Sequence, residues 1–390
     1  MAVELAERRR LRVATVVGTR PELIRLAPTI KLLDEVADQV LIHTGQNYDY
    51  ELHEIFYNDL GLRRPDYFLG VDTSSLGATL GCILSAVESV LLDEKPDAFL
   101  ILGDTNSCLS AIIAKRLKIP VYHMEAGNRC FDENVPEETN RRIIDHVADY
   151  NLVYTEHARR NLLAEGIHPS RILLTGSPMN EVLIGQRAKI ESSDVLEREN
   201  LHAYKYFLVS LHREETVDFT DRLGLALLSL RALREKYGLP ILVSTHPRTR
   251  KRLLSIPGEL KSGLVFHKPF GFLDYVKLQL SARLVLSDSG TISEESTLLG
   301  FPAITLRDFI ERPEALDTGA IITSGLEPES VIHAVDFTLA CADGGGHPFT
   351  PNDYLVTNTS ERVVAFIMST AHSHRARTGL RPCGSDSSEV

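Results

Sequence analysis

The sequence predicts an α/β protein with two Rossmann-like domains, each built on a parallel sheet. Short apolar runs alternate with amphipathic segments from Arg12 onward, and a repeated order of strand and helix produces a parallel sheet with helices on both faces. The alternation is interrupted after Thr175 and starts again at Phe207, which indicates a second sheet. The length of 390 residues suits two domains of about 150–200 residues each.

The predicted strands are short, rich in branched apolar residues and bounded by polar or turn residues. The first series comprises Arg12–Val17, Gln39–Thr44, Ala98–Leu102, Pro120–His123, Asn151–Tyr154 and Arg171–Thr175. The second series comprises Phe207–Ser210, Ile241–Thr245, Leu264–His267, Arg283–Ser287 and Ala303–Leu306. Helices are predicted at Glu22–Asp34, Thr105–Lys115 and Glu138–Ala148, and a last helix is predicted to start within Arg362–Ile367.

Gly176-Ser177-Pro178 marks the expected boundary between the two domains. Residues 1–177 are expected to form the N-terminal domain and residues 178–355 the C-terminal domain. The stretch 373–390 is rich in Ser, Arg and Gly and poor in apolar residues, so we expect it to be disordered.

The composition excludes several classes of function. With 42 Lys+Arg against 53 Asp+Glu the formal net charge is −11, so neither nucleic acid nor a membrane is expected as a partner. No apolar stretch reaches the ~18–20 residues of a membrane span, and residues 1–12 lack the apolar core of a signal peptide. The five cysteines show no CxxC pairing and predict neither disulfides nor a zinc site. A cytoplasmic protein is therefore expected.

Acidic side chains follow neighbouring strands of the first series. Asp104 and Glu125 come after adjacent strands, and Glu137 stands at the start of a predicted helix. Ligands of parallel sheets bind beyond the carboxyl ends of the strands, so we expect these carboxylates to meet in one cleft as general acids and bases. Two structural alternatives stay open. Asp104 is also a suitable helix cap, and Glu137 is a suitable i,i+4 ion-pair partner of Arg141.

Basic and imidazole side chains indicate an anionic ligand. Arg20 precedes Pro21 at the start of the first predicted helix, where a guanidinium and helix N–H groups together suit an anion. His212 and His246 follow adjacent strands of the second series, each beside an arginine, which suits contact with phosphate or sugar. No cysteine or third histidine stands at ligand spacing, so no metal is expected. A surface ion pair for Arg20 and buried structural roles for the histidines are the alternatives.

Ser289, Gly290 and Thr291 precede a further predicted helix. Small residues at a helix N-terminus expose backbone N–H groups to a diphosphate, and Glu295, one turn further on, can accept hydrogen bonds from ribose hydroxyls. Together these features predict a site for a nucleoside diphosphate. A capped structural helix without a ligand is the alternative.

Between about Arg12 and Ile367 these residues fall in an ordered series of motifs. The motifs are Gly18-Thr19-Arg20-Pro21-Glu22, Gly103-Asp104-Thr105, Glu125-Ala126-Gly127, Pro136-Glu137-Glu138-Thr139-Asn140-Arg141, His212-Arg213, Asp288-Ser289-Gly290 and Glu311-Arg312-Pro313-Glu314. With them the chain resembles the non-hydrolysing UDP-N-acetylglucosamine 2-epimerase family. The resemblance implies the GT-B glycosyltransferase fold, with the active site in a cleft between the domains. It also implies a homodimer and a last helix, at about 356–372, that crosses back to complete the N-terminal domain.

The resemblance assigns roles by position. Catalytic or sugar-contacting positions of the family fall on Asp104, Glu125, Glu137 and His212. Its contacts to the diphosphate and sugar fall on Arg20, Ser289, Gly290, Thr291 and Arg312, its ribose contact on Glu295, and its uracil site on the loop from Phe270 to Tyr275. Arg25, Arg141 and His246 complete the expected substrate-binding set. No cofactor and no metal are implied.

The chain departs from the family pattern at several positions. Arg25 replaces a lysine and Thr291 a second glycine of the common bacterial members, so both contacts are expected to be altered. Gln46 is kept from the site at which those members bind an activating second substrate molecule, but its neighbours 47–49 are not, so activation is not implied. The pair Asn106-Ser107 and the runs 128–132 and 245–250 resemble the branch that acts on UDP-6-deoxy-N-acetyl-L-hexosamines.

The reaction implied is the interconversion of UDP-N-acetylglucosamine and UDP-N-acetylmannosamine. UDP is eliminated to leave 2-acetamidoglucal and is added back with inversion at C2. A UDP-6-deoxy-N-acetyl-L-hexosamine as substrate, on the way to UDP-N-acetyl-L-fucosamine, is one alternative. The others are a GT-B glycosyltransferase that uses a UDP-sugar, a hydrolysing epimerase and a catalytically silent sugar-nucleotide sensor.

Overall fold

The computed structural model describes residues 9–46, 57–346 and 349–380. Within these residues the strands form two parallel sheets, one of seven strands and one of six. The first sheet contains β1 Arg12–Val17, β2 Asp38–His43, β3 Tyr67–Phe68, β4 Ala98–Leu102, β5 Val121–Met124, β6 Tyr150–Val153 and β7 Ile172–Leu174. The second contains β8 Phe207–Leu211, β9 Ile241–Thr245, β10 Leu264–His267, β11 Leu284–Ser287, β12 Ala303–Thr305 and β13 Ile322–Thr323.

The strand order reverses beside the first strand of each sheet. The orders are β3-β2-β1-β4-β5-β6-β7 and β10-β9-β8-β11-β12-β13. At such a reversal the connections leave toward opposite faces of the sheet, and a crevice remains beyond the carboxyl ends of the two strands. The segments that follow β1 and β4, and those that follow β8 and β11, are therefore placed to form a binding site.

The helices cover the two sheets. Those of the first half are α1 Arg20–Val36, α2 Leu76–Glu94, α3 Ala111–Arg116, α4 Pro136–Val147, α5 Glu156–Ala164 and α6 Met179–Glu191. Those that follow are α7 Val195–Arg198, α8 Glu214–Val217, α9 Thr220–Tyr237, α10 Pro247–Leu253, α11 Gly258–Lys261, α12 Phe272–Ser281, α13 Ile292–Leu299, α14 Glu314–Asp317, α15 Pro328–Asp343, α16 Thr359–Thr370 and α17 His374–Thr378. Short 3₁₀ turns lie at Asn106–Ser110, Pro169–Arg171 and Asn352–Tyr354.

The predicted architecture of two parallel sheets is confirmed, and each predicted strand is found with its ends shifted by no more than one residue. The edge strands β3 and β13 were not predicted, because two residues are too short to show a pattern. The helix predicted at 105–115 starts as the 3₁₀ turn Asn106–Ser110 and becomes α-helical only at Ala111.

Helix α16 packs on the first sheet's side of the molecule. Its Val363, Val364 and Ile367 are buried in the cluster that contains the apolar face of α1. The expectation of disorder from residue 373 onward is wrong for α17, because His374 is buried and its ring packs edge-on against Tyr150 at 5.8 Å. Residues 381–390 lie outside the described part of the chain.

Helix α2 is long and apolar enough to pass for a membrane span, so the expectation that no apolar stretch reaches this length is wrong for it. Small and polar residues are interspersed among its leucines and valines, which hides the apolar character from a search for uninterrupted runs. Ile83, Val87 and Leu91 pack against the first sheet, so one face belongs to the core. On the opposite face Leu92 is 53% exposed, and Leu76, the first residue of the helix, is 66% exposed.

Candidate active site

The turn after β5 holds Glu125 in a left-handed backbone conformation. Its φ is 63°, which costs free energy for a residue with a side chain and persists only where the surrounding structure enforces it. Gly127 has φ 80°, and a Cβ there would lie 2.4 Å from the carbonyl oxygen of Ala158. The close packing of this turn against α5 therefore fixes the backbone from which the Glu125 side chain extends.

Glu125 belongs to a buried arginine–glutamate network of four residues, Arg25, Glu125, Glu294 and Arg312. Arg25 contacts Glu125 through Nη1, and its Nη2 donates to Glu294 Oε2 at 2.8 Å. Arg312 donates to Glu125 Oε1 at 2.5 Å and to Glu294 Oε2 at 2.6 Å. Arg25 and Glu125 belong to the half of the molecule that is built on the first sheet. Glu294, on α13, and Arg312, after β12, belong to the half that is built on the second sheet. The network thus joins the two halves through balanced charges.

The network keeps the Glu125 carboxylate ionised. Burial by itself raises the pKa of a carboxyl group. Here the guanidinium groups of Arg25 and Arg312 outweigh burial and lower the pKa of Glu125 to about 2. An ionised carboxylate shielded from water is suited to stabilise positive charge that develops on a substrate.

The pKa of Asp104, which follows the carboxyl end of β4, is shifted in the opposite direction to that of Glu125. Arg141 donates to Asp104 Oδ2 from Nε at 3.0 Å and from Nη2 at 2.7 Å. Burial nevertheless raises the pKa of Asp104, and the carboxylates of Glu137 and Glu125 act in the same direction. Neighbouring carboxyl groups whose pKa values are driven apart suit acid and base roles. The alternative role of Asp104 as a helix cap is wrong, because Thr105 occupies the cap position.

Glu137 lies in the first turn of α4 and is half-buried. Its charge acts on both Asp104 and Arg213, which places it at the same cleft. The alternative ion pair between Glu137 and Arg141 is wrong, because Arg141 contacts Asp104 and Glu138 instead. The structure thus brings the three predicted acids together.

The carboxyl end of β8 presents His212, which Asp288 fixes in place from the end of β11. The buried Asp288 carboxylate accepts the backbone N–H groups of His212 and Arg213, each at 2.9 Å, and lies 3.0 Å from His212 Nδ1. This pairing leaves Nε2 as the ring nitrogen of His212 that is available to a ligand. The His246 ring lies 6.3 Å away, and burial together with the charges of His212 and Arg20 lowers the pKa of His246 to about 4.

The segment before α13 has the features of an anion site. The hydroxyl groups of Ser289 and Thr291 lie 2.9 Å apart at the helix N-terminus. Arg312 Nη1 donates to the carbonyl oxygen of Gly290 at 2.5 Å. A Cβ on Gly290 would lie 3.3 Å from Arg213 Nη2, so a second guanidinium also stands over the glycine. A helix N-terminus flanked by two guanidinium groups suits a phosphate.

Glu295 lies in the first turn of α13, beside the predicted nucleoside site. Gln279 Nε2 donates to its Oε2 at 2.6 Å, and burial raises the pKa of Glu295. Burial raises the pKa of Tyr275, and the nearby charge of Glu295 raises it further. The Phe270 ring stacks on His267 at 4.1 Å. The predicted loop from Phe270 to Tyr275 is wrong in part, because α12 begins at residue 272.

The predicted anion site at the start of α1 is filled by a side chain of the same helix. Glu22 accepts the backbone N–H groups of Gly18 at 2.8 Å and Thr19 at 2.6 Å. These groups cannot bind a phosphate, so this part of the prediction is wrong. Arg20 is the first residue of α1, and its charge acts on His246 across the cleft. Residues 47–49, beside Gln46, lie outside the described residues.

A family model described as UDP-N-acetylglucosamine 2-epimerase matches residues 32–368. The chain belongs to this epimerase family. The UDP-N-acetylglucosamine 2-epimerase of Methanocaldococcus jannaschii is 39% identical over 353 residues, which cover 87% of this chain and 95% of that protein. The solved structure of UDP-N-acetylglucosamine 2-epimerase from Rickettsia bellii is 45% identical with a TM-score of 0.89, covering 95% of this chain and 100% of that one. A crystal structure of the Methanocaldococcus jannaschii UDP-GlcNAc 2-epimerase in complex with UDP-GlcNAc and UDP is 37% identical with a TM-score of 0.86, covering 92% and 100%.

These comparisons confirm the resemblance to the epimerase family, its isomerase class and the GT-B type of fold. Sequence reasoning gave no individual role to four residues that the structure places at the candidate site. They are Arg213, Asp288, Glu294 and Glu311, and Glu311 lies 3.4 Å from Arg213 and 3.8 Å from Arg141. Arg213, Asp288 and Glu311 stand inside the motifs, but the motifs do not show their partners. Glu294 stands next to Glu295, and the sequence does not show which of these two acids meets a cation across the cleft. Within the described ranges no group of three or more His, Cys, Asp or Glu side chains is placed to hold a metal ion.

Proposed function

We propose that the protein interconverts UDP-N-acetylglucosamine and UDP-N-acetylmannosamine without net hydrolysis. One observation carries this proposal. Asp104, Glu125 and Glu137 converge beyond the carboxyl ends of β4 and β5, and Arg312 joins Glu125 to the anion site before α13. Proton-transferring groups thus lie next to a site for the leaving diphosphate.

Elimination is the route that the substrate chemistry favours. The hydrogen on C2 of an N-acetylhexosamine is not acidic, because no carbonyl group is attached to that carbon. If the C1–O bond to UDP breaks as the C2 proton passes to a carboxylate, the products are UDP and 2-acetamidoglucal. The UDP oxygen then adds back to C1 while a protonated carboxyl group delivers a proton to the other face of C2. This addition restores the bond to UDP and inverts C2.

Residues of the second half are expected to hold the UDP moiety. The N-terminus of α13 at Ser289-Gly290-Thr291, with Arg312, is suited to the diphosphate as negative charge develops on it. His212 offers Nε2 to a phosphate oxygen, and Glu295 offers its carboxylate to ribose hydroxyls. We assign Phe270 and Tyr275 to the uracil side of the site, and Arg20, Arg25, Arg141 and His246 to the remaining substrate contacts.

The protonation states suit the three acids to different roles. Glu125 is held ionised and is suited to stabilise the oxocarbenium-like charge at C1. Asp104, whose pKa is raised, and the half-buried Glu137 are suited to exchange protons with the two faces of C2. Closure of the two halves around the sugar is expected to keep water from C1.

The test is NMR of the sugar-nucleotide pool after incubation of the protein with UDP-N-acetylglucosamine in D₂O. Appearance of UDP-N-acetylmannosamine with deuterium at C2 is expected. Release of free N-acetylmannosamine would indicate the hydrolysing reaction. Turnover that requires an added acceptor would indicate a glycosyltransferase, and UDP binding without any turnover would indicate a sensor. The UDP-6-deoxy-N-acetyl-L-hexosamines are tested as substrates in the same assay. Faster turnover of one of them would make that compound the substrate instead of UDP-N-acetylglucosamine.

We also infer a homodimer formed through α2, and a cytoplasmic location. The exposed face of α2 carries Gly77, Gly81 and Ser85 at intervals of four residues and, further along the same face, Leu92. Such a face lets a second helix approach closely and bury Leu92. Light scattering of the protein and of Gly81→Glu tests this, because a charge at the centre of the face should produce monomers.

The cysteines of the described chain are unpaired, which suits the reducing compartment of the proposed cytoplasmic location.

A further inference from the structure

Glu294 is a buried carboxylate to which the mechanism above gives no role. It is 0% exposed and stands one residue before Glu295 in the first turn of α13. Its Oε2 accepts hydrogen bonds from Arg25 at 2.8 Å and from Arg312 at 2.6 Å, and its Oε1 accepts one from the hydroxyl of Ser177. A carboxylate is kept at such a depth only where cations and hydrogen bonds offset the loss of water.

The two arginines make Glu294 the counterpart of Glu125. Each guanidinium places one Nη on Glu125 and the other on Glu294. Because the guanidinium is planar and its donors are fixed relative to one another, the two carboxylates together determine the plane of each arginine. Loss of the charge at Glu294 would remove one of the two carboxylates that hold each guanidinium, so both arginines could rotate relative to Glu125. The Glu125 carboxylate would shift with them.

Ser177 connects Glu294 to both chain segments that link the two halves. It lies between β7 and α6, and its carbonyl oxygen accepts a hydrogen bond from the Thr359 hydroxyl, at the start of α16, at 3.1 Å. The adjacent Gly176 packs so closely on the returning segment that a Cβ would lie 2.5 Å from Val356. The two crossings are thus packed together directly beside Glu294.

We propose that Glu294 is a positioning residue that sets the placement of the Glu125 carboxylate through Arg25 and Arg312 and couples it to the linking segments through Ser177. This inference rests on the proposed function. Glu294 touches neither the reacting sugar nor the diphosphate in this scheme. Its removal should therefore weaken stabilisation of the transition state while leaving substrate binding largely intact, which separates kcat from KM.

The test is steady-state epimerisation of UDP-N-acetylglucosamine, with UDP affinity measured by calorimetry. Glu294→Gln keeps the shape and removes the charge, and we expect kcat to fall by about tenfold or more while KM and the Kd of UDP change by less than about threefold. Ser177→Ala removes one hydrogen bond to Glu294 and keeps its charge, so kcat should fall by only about two- to fivefold. The double variant should be no slower than Glu294→Gln, because Ser177 acts through Glu294.

Glu314→Gln is the matched control. Glu314 is a buried carboxylate of the same half that lies near Arg312, but it accepts its hydrogen bond from the Tyr354 hydroxyl at 2.7 Å and contacts neither arginine. Its kcat should stay within about threefold of the wild type whatever its melting temperature. Additive losses in the double variant, or a parallel loss of kcat and UDP affinity in Glu294→Gln, would overturn the inference.

The outcome for the wild type separates the two proposals. If the wild type turns over the substrate and both Glu294→Gln and Ser177→Ala keep the wild-type kcat, the positioning role is overturned and the proposed function stands. If Glu294→Gln does not fold, the Ser177→Ala variant still decides, because a kcat equal to the wild type contradicts the coupling. A folded wild type that epimerises no UDP-N-acetylhexosamine overturns the proposed function, and the inference with it.

Discussion

Arg312 Nη2 lies 2.5 Å from Glu125 Oε1, although the two residues come from opposite halves of the molecule. Arg312 Nη1 also donates to the Gly290 carbonyl oxygen, so one side chain contacts both the acid site and the anion site. Glu125 therefore acquires its full set of cations only when the two halves are together. We therefore expect the candidate site to be complete only when the two halves are closed on each other.

Arg312→Lys should lower kcat/KM by about 10²-fold. Lysine keeps the positive charge, but its single ammonium cannot reproduce the planar pair of donors that spans Glu125 and Glu294. Initial rates with UDP-N-acetylglucosamine measure the effect. Arg307→Lys is the control, because Arg307 is also buried and binds Glu311 at 2.5 Å but does not contact Glu125. Equal losses in the two variants would contradict a special role for Arg312.

Much of the fold could be predicted because strand signals are local. Buried parallel strands such as Arg12–Val17 appear as uninterrupted apolar runs, since both faces of the sheet are covered. Strand order also made the convergence of Asp104 and Glu125 predictable, because adjacent parallel strands end at the same edge. The two-residue strand β3 gives no such signal, and its place depends on pairing with β2.

The remainder of the site depends on distances that the sequence does not show. Arg25 and Glu294 are 269 positions apart and meet only because the two halves close on each other. Glu22 is a second example. Its helix start looks like a phosphate site until the side chain is seen to fill it. Local patterns therefore predicted where ligands bind, but not which charged groups neutralise one another.

The stability of the protein should depend on pH through Glu125. The folded pKa is about 2 and the ordinary value is 4.5, so the ionised group stabilises the folded state above pH 4.5 and loses this contribution as the pH falls toward 2. The contribution is roughly 3 kcal/mol. Urea unfolding of the wild type and of Glu125→Gln should show a difference in unfolding free energy that shrinks by this amount between about pH 5 and pH 2. A difference independent of pH would argue against an ionised Glu125.

Gly127→Ala should destabilise the protein and slow the enzyme together. The residue has φ 80° and its Cβ would lie 2.4 Å from the carbonyl oxygen of Ala158, so the turn that carries Glu125 must shift. We expect a loss of about 2–4 kcal/mol in unfolding free energy. Gly166→Ala is matched in backbone, with φ 84°, but no atom lies within 4 Å of its Cβ, so only about 1 kcal/mol is expected. Similar losses in both variants would show that the close contact at Gly127 is unimportant.

Asp104→Asn and Glu137→Gln should each lower kcat by about 10²-fold or more, because neither amide can exchange a proton with C2. Glu133→Gln is the control, since Glu133 is exposed on the loop before α4 and should keep wild-type turnover. Solvent deuterium distinguishes the two faces of C2. If Asp104 and Glu137 serve opposite faces, one variant should still exchange the C2 hydrogen of UDP-N-acetylglucosamine without forming its epimer, and the other should do so only from UDP-N-acetylmannosamine. Exchange from both sugars at undiminished rates in both variants would remove these carboxyl groups from proton transfer and leave them, with Arg141, as an ion-pair cluster that shapes the cleft.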